Sequence, residues 1–207
     1  MPLASIIKSL LFGLTIALAV GPIALLIVNY GVTRGFASAS RSAIGAGLAD
    51  LSYAVVAFVA GNLLVARLEA HRTAFEVVAA LVLIAFGAYM FLGALRTART
   101  VKATASPTAR KELATTFALT LLNPLTIIAF AGFAGQLPLA GSAARALLLA
   151  LAVFLGSITV QLVLAAAGAQ LGRSLQNPTF LKSLNAVTGL GIVAFGLAGL
   201  WPHIVRP

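Results

Sequence analysis

The stretch Leu18-Ala19-Val20-Gly21-Pro22-Ile23 places a glycine and a proline inside the first long apolar run, residues 6–28. Proline has no backbone N–H, and its ring clashes with the carbonyl of an earlier residue, so it kinks or breaks a helix. In lipid, the freed backbone groups must find partners inside the protein or in a water-filled cavity. The stretch therefore predicts an interrupted membrane helix.

A second interruption, Asn123-Pro124, lies inside a later apolar run, residues 113–135. Each interruption taken alone is explained by an ordinary proline kink. Two interrupted helices at corresponding places in two halves of a chain are, however, the best sequence pointer to a transporter binding site. The N-terminus of a half-helix carries a partial positive charge that suits a carboxylate. The candidate substrate-binding residues are therefore Gly21, Pro22, Asn123 and Pro124.

The composition is that of an integral membrane protein. Of the 207 residues, 61% are hydrophobic and 9% are charged, whereas soluble domains have about a quarter of their residues charged. The net charge of +10 comes from basic residues between apolar runs, which is typical of cytoplasmic loops rather than of a nucleic-acid surface. Cysteine is absent, which excludes disulfides and thiolate metal sites. We expect a single membrane domain over residues 1–207 that contacts the lipid bilayer and binds no nucleic acid.

Six apolar runs are each near the roughly 20 residues that a helix needs to span a bilayer. They cover residues 6–28, 43–66, 73–95, 113–135, 145–171 and 183–201. The stretches 29–42, 96–112 and 173–182 between them are expected to be loops. Lys8 before an apolar stretch also fits a signal peptide, but the first run is longer than the usual core of about 7–15 residues. The sequence therefore predicts six transmembrane helices in an all-α fold.

The distribution of Lys and Arg predicts the orientation in the membrane. The loops after the first, third and fifth helices hold nine of them, and the other side holds five. Because basic loops stay in the cytoplasm, the linker 96–112 is expected inside and both termini outside. Arg34 and Arg41 are expected only to set this topology.

The two halves of the chain show a weak internal similarity, in which residues 43–50 align with residues 150–157. Three helices per repeat is an odd number, so the second copy would lie inverted in the membrane. We expect two inverted three-helix repeats, about residues 5–95 and 113–202, joined by the linker. Such an architecture binds its substrate near the midplane, where the two copies meet.

Asp50 is the one carboxylate deep inside an apolar run, roughly 10 Å from the cytoplasmic end of its helix at about 1.5 Å per residue. Acids inside a membrane usually face a cavity, pair with a base or relay protons. Asp50 is therefore the candidate coupling residue; the alternative is that it only bonds backbone amides freed near Gly21. Gln161 lies one turn after Ser157 on the same helix face, so both are candidate cavity residues.

Structural roles are expected for the other polar residues. Glu76 and Glu112 begin their helices, where a negative charge suits the helix dipole, and Asn29 is expected to cap a helix at the interface. Tyr53 is expected to pack or to anchor the membrane interface. The sequence shows no nucleophile–base pair, phosphate-binding loop or metal-ligand cluster, so it predicts neither an enzyme nor a cofactor or metal site.

Three motifs resemble the lysine exporter (LysE/RhtB) family of amino-acid efflux transporters, and the likeness covers nearly the whole chain. The first helix of the family carries Pro-Gly-Pro, where this chain reads Val20-Gly21-Pro22. Its second helix ends a glycine-rich stretch with Leu-Gly-Asp, here Leu48-Ala49-Asp50. Its fourth carries Asn-Pro-Lys, here Asn123-Pro124-Leu125. One position of each motif departs from the family pattern.

The resemblance implies export of amino acids or similar small polar metabolites across a bacterial inner membrane, driven by the proton gradient through alternating access. Leu125 stands where the family has a lysine, a residue that could bind a carboxylate. The sequence is therefore compatible with a substrate that differs from those of most family members.

Two other functions stay open. Divalent-cation efflux is weakened because one acid supplies few of the oxygen ligands that such a cation needs. A non-transporting scaffold or assembly factor would need a packed interior without a polar cavity. The sequence leaves open whether the chain forms a homo-oligomer.

Overall fold

The computed structural model describes residues 3–18, 21–70, 72–96, 109–123, 126, 129–130, 133, 142–174 and 177–205. Within these ranges the chain is helical apart from short connections, and no strand is present. The helices are α1 (Leu3–Leu18), α2 (Pro22–Arg34), α3 (Phe36–Ala70), α4 (Arg72–Arg96), α5 (Ala109–Leu121), α6 (Ala143–Ser174) and α7 (Pro178–Val205). The prediction of an all-α chain is confirmed.

Four helices are long and apolar enough to cross a membrane singly. Their apolar spans are Phe36–Val59, Glu76–Leu95, Ala143–Arg173 and Thr179–His203. Helices α1 and α2 together make a fifth candidate span, bent by 70° at the break between them. The predicted fourth transmembrane helix begins as α5 and continues into residues outside the described ranges. The chain is thus a multi-pass membrane protein, and the arrangement of six spans in two inverted repeats stays a prediction.

Gly21 and Pro22 set the break between α1 and α2. Gly21 is the N-cap of α2 with an extended backbone, and its carbonyl accepts the N–H of Leu25 at 3.2 Å. Pro22 takes the first helical position, where its missing N–H removes no bond within the helix. The interruption predicted from these two residues is therefore the place where the helix restarts.

The loop predicted at residues 29–42 is wrong. The chain is helical up to Arg34 and again from Phe36. Gly35 alone interrupts it, with a φ of 83° in the left-handed region that glycine adopts without a steric penalty. The polar residues of this stretch suggested a loop, but several of their side chains bond to partners inside the helix bundle.

The loop predicted at residues 173–182 is also too long. Helix α6 continues to Ser174, and α7 already begins at Pro178. A proline suits the first position of a helix, and the side-chain oxygen of Asn177 accepts the Thr179 N–H at 2.9 Å, as an N-cap residue does. Of the predicted linker, residues 97–108 lie outside the described ranges, and residues 109–112 belong to α5.

Helix packing relies on small residues. Helix α6 packs against α1, α2 and α3. Helix α5 packs against α3, and α4 packs against α7. A Cβ atom built on Gly31 would lie 2.8 Å from the backbone nitrogen of Ala169, and one on Gly87 would lie 2.6 Å from the carbonyl oxygen of Gly189. These glycines let backbones approach closely, which is how helices associate in lipid.

Candidate functional site

A small cavity lies at the break between α1 and α2. The centres of water molecules can occupy a volume of about 50 Å³ within it. A few waters fit in this space, because each needs about 10–15 Å³. The apolar part of its wall comes mainly from α1 and α2. Its polar side chains are those of Asp50, Thr120, Asn123, Thr126 and Gln161.

Asp50 of α3 is the charged group of this cavity, and only 4% of the residue is exposed. One carboxylate oxygen, Oδ2, accepts hydrogen bonds from Ser157 Oγ at 2.5 Å and from Gln161 Nε2 at 3.1 Å. Both donors lie on α6, one turn apart. Within the described part of the chain, Asp50 forms no ion pair with Lys, Arg or His. The carboxyl group is thus held by neutral donors and faces a space that water can enter.

Two oxygen atoms at this cavity have no hydrogen-bond partner among the described residues. They are Oε1 of Gln161 and Oγ1 of Thr120, and both side chains are more than nine-tenths buried. Leaving a buried polar atom without a partner costs about 1–3 kcal/mol. Such a cost is expected at a binding site, because a bound molecule can supply the missing partner.

The N-terminus of α2 also faces the cavity. Ile23 and Ala24 line it, and the first N–H groups of a helix have no carbonyl partner within that helix. The N-cap residue, Gly21, supplies no side-chain hydrogen bond to them. These donors and the positive end of the helix dipole suit a carboxylate group.

A second break lies opposite, at Asn123. Helix α5 ends at Leu121, and Asn123 is buried and non-helical. The Asn123 N–H donates to the Thr120 carbonyl at 3.1 Å, and its own carbonyl accepts the Thr126 N–H at 3.1 Å. The chain thus leaves the helix at Asn123, and Thr126 is again helical, as expected of an interrupted helix. Pro124 lies outside the described residues.

The structure brings most of the predicted site residues together. Gly21, Asp50, Asn123 and Gln161 line one cavity, Ser157 contacts Asp50, and Pro22 is buried beside them as the first residue of α2. The alternative in which Asp50 bonds backbone amides near Gly21 is not what the described contacts show, since its partners are two side chains of α6.

Thr120 and Thr126 line the cavity but were not predicted to do so. The signal that could have found them is their spacing, because each lies three residues from Asn123. Threonine is common in membrane helices, where its hydroxyl often bonds the carbonyl of the preceding turn. Its presence alone therefore does not distinguish a cavity residue from a packed one.

A second buried carboxylate lies near the other end of α2 and α5. Glu112 is 1% exposed. It accepts a hydrogen bond from Ser38 Oγ and pairs with Arg41 Nε at 2.7 Å and with Arg34 Nη1 at 3.6 Å. We call these four residues the charged network. The expectation that Arg34 and Arg41 only set topology is wrong, because both neutralise a buried acid that joins three helices.

Glu112 does lie in the first turn of α5, as predicted, but its side chain does more than cap that helix. Glu76 is not a cap, because α4 begins at Arg72 and Glu76 lies beyond its first turn. Its carboxylate instead approaches Nε2 of His203 on α7 at 2.9 Å. Asn29 is not an interfacial cap either, because it is 1% exposed and its Nδ2 donates to Thr188 Oγ1 at 3.2 Å.

An aromatic cluster lies on the other side of the cavity. It consists of Phe12, Tyr53, Phe58, Phe130 and Phe133. The rings of Phe12 and Phe133 are stacked with centroids 3.8 Å apart, and Phe12 meets Phe130 edge-on at 5.1 Å. Tyr53 stacks on Phe130 and donates its hydroxyl hydrogen to the Leu121 carbonyl. Of the two roles predicted for Tyr53, packing and interface anchoring, its contacts show packing.

Comparisons with known proteins give one match. The family described as LysE type translocator matches residues 14–200. Comparisons with curated proteins and with solved structures found no match. In the part of the chain that the structure describes, no three His, Asp or Glu side chains are grouped so as to hold a metal ion.

Proposed function

Since this chain belongs to the LysE type translocator family, we propose that it exports amino acids or similar small polar metabolites by proton-coupled alternating access. The observation that carries the proposal is Asp50, a buried carboxyl group without a cationic partner among the described residues, at a polar cavity between two helix breaks. An ionised group inside a membrane is costly. Such a carboxyl group can therefore take up and release a proton as its surroundings change.

The cavity offers complementary groups for a zwitterion. The free N–H groups at Ile23 and Ala24 suit the carboxylate of an amino acid. The unpartnered oxygens of Thr120 and Gln161 accept hydrogen bonds, so they suit its ammonium group. A bound amino acid would thus satisfy groups that are left without partners when the cavity is empty.

Two barriers support alternating access. Along α3, Arg41 lies nine residues before Asp50 and Phe58 lies eight residues after it, which is about 12–14 Å in each direction at 1.5 Å per residue. The charged network therefore closes one side of the cavity and the aromatic cluster closes the other. Each barrier joins separate helices, so each can open while the other stays shut.

The helix contacts support the inverted-repeat arrangement. If α1–α4 and the second half are two copies, α3 corresponds to α6 and α4 to α7. Each of these pairs is in contact, and the contact of α1 with α6 is matched by that of α5 with α3. An exchange symmetry of this kind is expected of two copies related by a two-fold axis in the membrane plane.

The orientation that we propose places the charged network on the cytoplasmic side of a bacterial inner membrane. Arg34 and Arg41 belong to this network, Arg110 and Lys111 adjoin Glu112 on α5, and basic segments stay in the cytoplasm. The linker would connect α4 to α5 there. Substrate would enter past the charged network and leave past the aromatic cluster.

The two rival functions fit the observations less well. Divalent-cation efflux needs several oxygen ligands with negative charge, and Asp50 is the one carboxylate at this cavity. A scaffold was expected to have a packed interior without a polar cavity, whereas Asp50 faces such a cavity beside both helix breaks.

Reconstituted vesicles test the proposal. The probe is an equal mixture of the twenty protein amino acids, with transport driven by an imposed proton gradient. We expect wild-type vesicles to transport at least one of them, and Asp50→Asn to abolish gradient-driven transport. The matched control is Glu76→Gln, another acid neutralised away from the cavity.

Transport by Asp50→Asn at the wild-type rate under the same gradient would show that Asp50 is structural. A wild-type protein that moves no amino acid, in an intact and inserted form, would remove amino acids as the substrate class. Separate transport assays with divalent cations then test the first rival.

A further inference from the structure

The side-chain amide of Gln161 is held in one orientation by its neighbours. Nε2 donates to Asp50 Oδ2 at 3.1 Å and to Ser157 Oγ at 2.7 Å, so both of its hydrogens are used. Ser157 Oγ in turn donates to the same carboxylate oxygen at 2.5 Å. An ionised carboxylate can only accept hydrogen bonds. As long as Asp50 is ionised, the amide must therefore turn its nitrogen toward Asp50 and its oxygen away.

The other end of this amide is the unpartnered one. Gln161 is 5% exposed and lines the cavity, and its Oε1 has no partner among the described residues. With Asp50 ionised, Gln161 thus presents an acceptor to the cavity. An ammonium group has three N–H donors and no acceptor, so it is the matching group of a substrate.

Protonation of Asp50 at Oδ2, the oxygen that Gln161 contacts, reverses this requirement. A protonated carboxyl group carries an O–H donor, and the amide nitrogen opposite it cannot accept. Rotation of the amide by half a turn lets Oε1 accept from the Asp50 hydroxyl and turns Nε2 toward the cavity. The cavity then meets two N–H donors, which an ammonium group cannot bind.

We propose that Gln161 is the positioning residue that links the protonation of Asp50 to the binding of a substrate's ammonium group, through reversal of its side-chain amide. The proposal rests on the proposed function and specifies its substrate class, since it requires a primary amine on the transported molecule. It also gives the direction of coupling. The ionised state binds substrate, and the protonated state releases it.

Among the described residues, no other charged group at the cavity competes for this role. Tyr53 is the titratable neighbour on α3, and its hydroxyl is engaged with the Leu121 carbonyl. Tyr30 of α2 lies beneath the guanidinium of Arg34, 4.5 Å from it. The remaining charged residues of the elements packed around Asp50 stand about 12 Å or more along their helices from the cavity, at 1.5 Å per residue. Those whose side chains the structure describes are Lys8 on α1, Arg41 on α3, Arg110, Lys111 and Glu112 on α5, and Arg145 and Arg173 on α6.

The direction of coupling suits an exporter. Asp50 open to the cytoplasm would be ionised and bind the amine-bearing substrate. Asp50 open to a more acidic exterior would take up a proton, reverse the amide and release the substrate. The protonated carrier would then return and give the proton to the cytoplasm, so one proton enters for each substrate that leaves.

The test measures binding to the full-length protein in lipid nanodiscs. The probe is whichever protein amino acid the wild-type protein binds most tightly, and its N-acetyl derivative is the matched probe without an ammonium group. Between about pH 4 and pH 9, the range over which buried carboxyls titrate, we expect wild-type affinity for the amino acid to rise about tenfold or more. Affinity for the N-acetyl derivative should not rise with it.

The variant Gln161→Met keeps the side-chain length and the Ser157–Asp50 hydrogen bond but removes the amide. We expect its affinity for the amino acid to be low and nearly independent of pH. The matched control is Gln170→Met, the same change at an exposed position of the same helix, which should keep the wild-type pH profile.

Two results would overturn the amide mechanism while leaving amino-acid export in place. One is a Gln161→Met protein with the wild-type pH dependence of binding. The other is measured on the wild-type protein. It is binding of the amino acid and of its N-acetyl derivative with the same pH dependence. Failure of the wild-type protein to bind or transport any amino acid overturns the proposed function, and this inference with it.

Discussion

Glu112 Oε2 and Arg41 Nε form an ion pair at 2.7 Å between α5 and α3, although Glu112 is 1% exposed. Arg41 and Arg34 are each more than a third exposed, so solvent screens their side of the network. The carboxylate of the pair is thus buried, whereas the guanidinium groups contact solvent. An ion pair of this kind can separate at a moderate cost, because its cations do not have to leave a dry site.

Glu112→Gln should open the side of the cavity that the charged network closes, because it leaves two arginines without their carboxylate. The chain has no cysteine, so a single cysteine at Ala46, which lines the cavity, can report access. In the Ala46→Cys background, we expect a membrane-impermeant maleimide to label the Glu112→Gln protein several-fold faster from the network side. Glu76→Gln in the same background is the control. Equal labelling rates for the two variants would show that the network is not the barrier.

Phe12→Ala should open the opposite side, because the Phe12 ring stacks on Phe133 and meets Phe130 edge-on. Loss of the ring from a packed position costs up to about 3–5 kcal/mol, less here because Phe12 is only partly buried. The same cysteine at Ala46 should then react faster with reagent added from the side of the aromatic cluster and at an unchanged rate from the other. Faster labelling from both sides would indicate general loosening instead of a barrier.

Gly35→Ala should destabilise the protein through backbone conformation alone. Its φ of 83° is unfavourable for a residue with a side chain, by about 1–2 kcal/mol, and a Cβ atom there meets nothing within 4 Å. Gly93 is the matched control, since a Cβ atom there also meets nothing within 4 Å but the residue lies inside α4. Gly93→Ala should be neutral or stabilising by about 0.5–1 kcal/mol. Thermal unfolding in detergent measures both, and equal shifts would contradict the assigned conformation at Gly35.

Thr188→Val should destabilise the contact between α2 and α7, because Thr188 Oγ1 accepts from Asn29 Nδ2 in a buried setting. A buried donor left without a partner costs about 1–3 kcal/mol. The control is Thr159→Val on an exposed face of α6, where the hydroxyl bonds the Leu155 carbonyl of its own helix. We expect a lower unfolding temperature for the first variant and little change for the second. A similar drop in both would mean that the Asn29 contact contributes nothing of its own.

The breaks in α1–α2 and at Asn123 could be predicted because proline and its neighbours act locally, through a missing donor and a fixed φ. The pairing of Ser157 with Gln161 followed from helical spacing. The charged network could not be predicted in the same way, since Arg41 and Glu112 are 71 residues apart and no local rule relates them. The same limit explains the wrong loop at 29–42, where polar residues have partners on distant helices.

The unpaired state of Asp50 has an electrical consequence. A carrier with a fixed lysine beside its acid would carry no net charge at that site. In the described part of this chain no cation offsets Asp50. In the proposed cycle, the substrate-loaded, ionised carrier would therefore move one negative charge across the membrane, and a zwitterion would add none. A voltage that is negative inside pushes this charge outward, with up to about 2.3 kcal/mol per 100 mV. Export would therefore draw on the membrane voltage as well as on the pH difference.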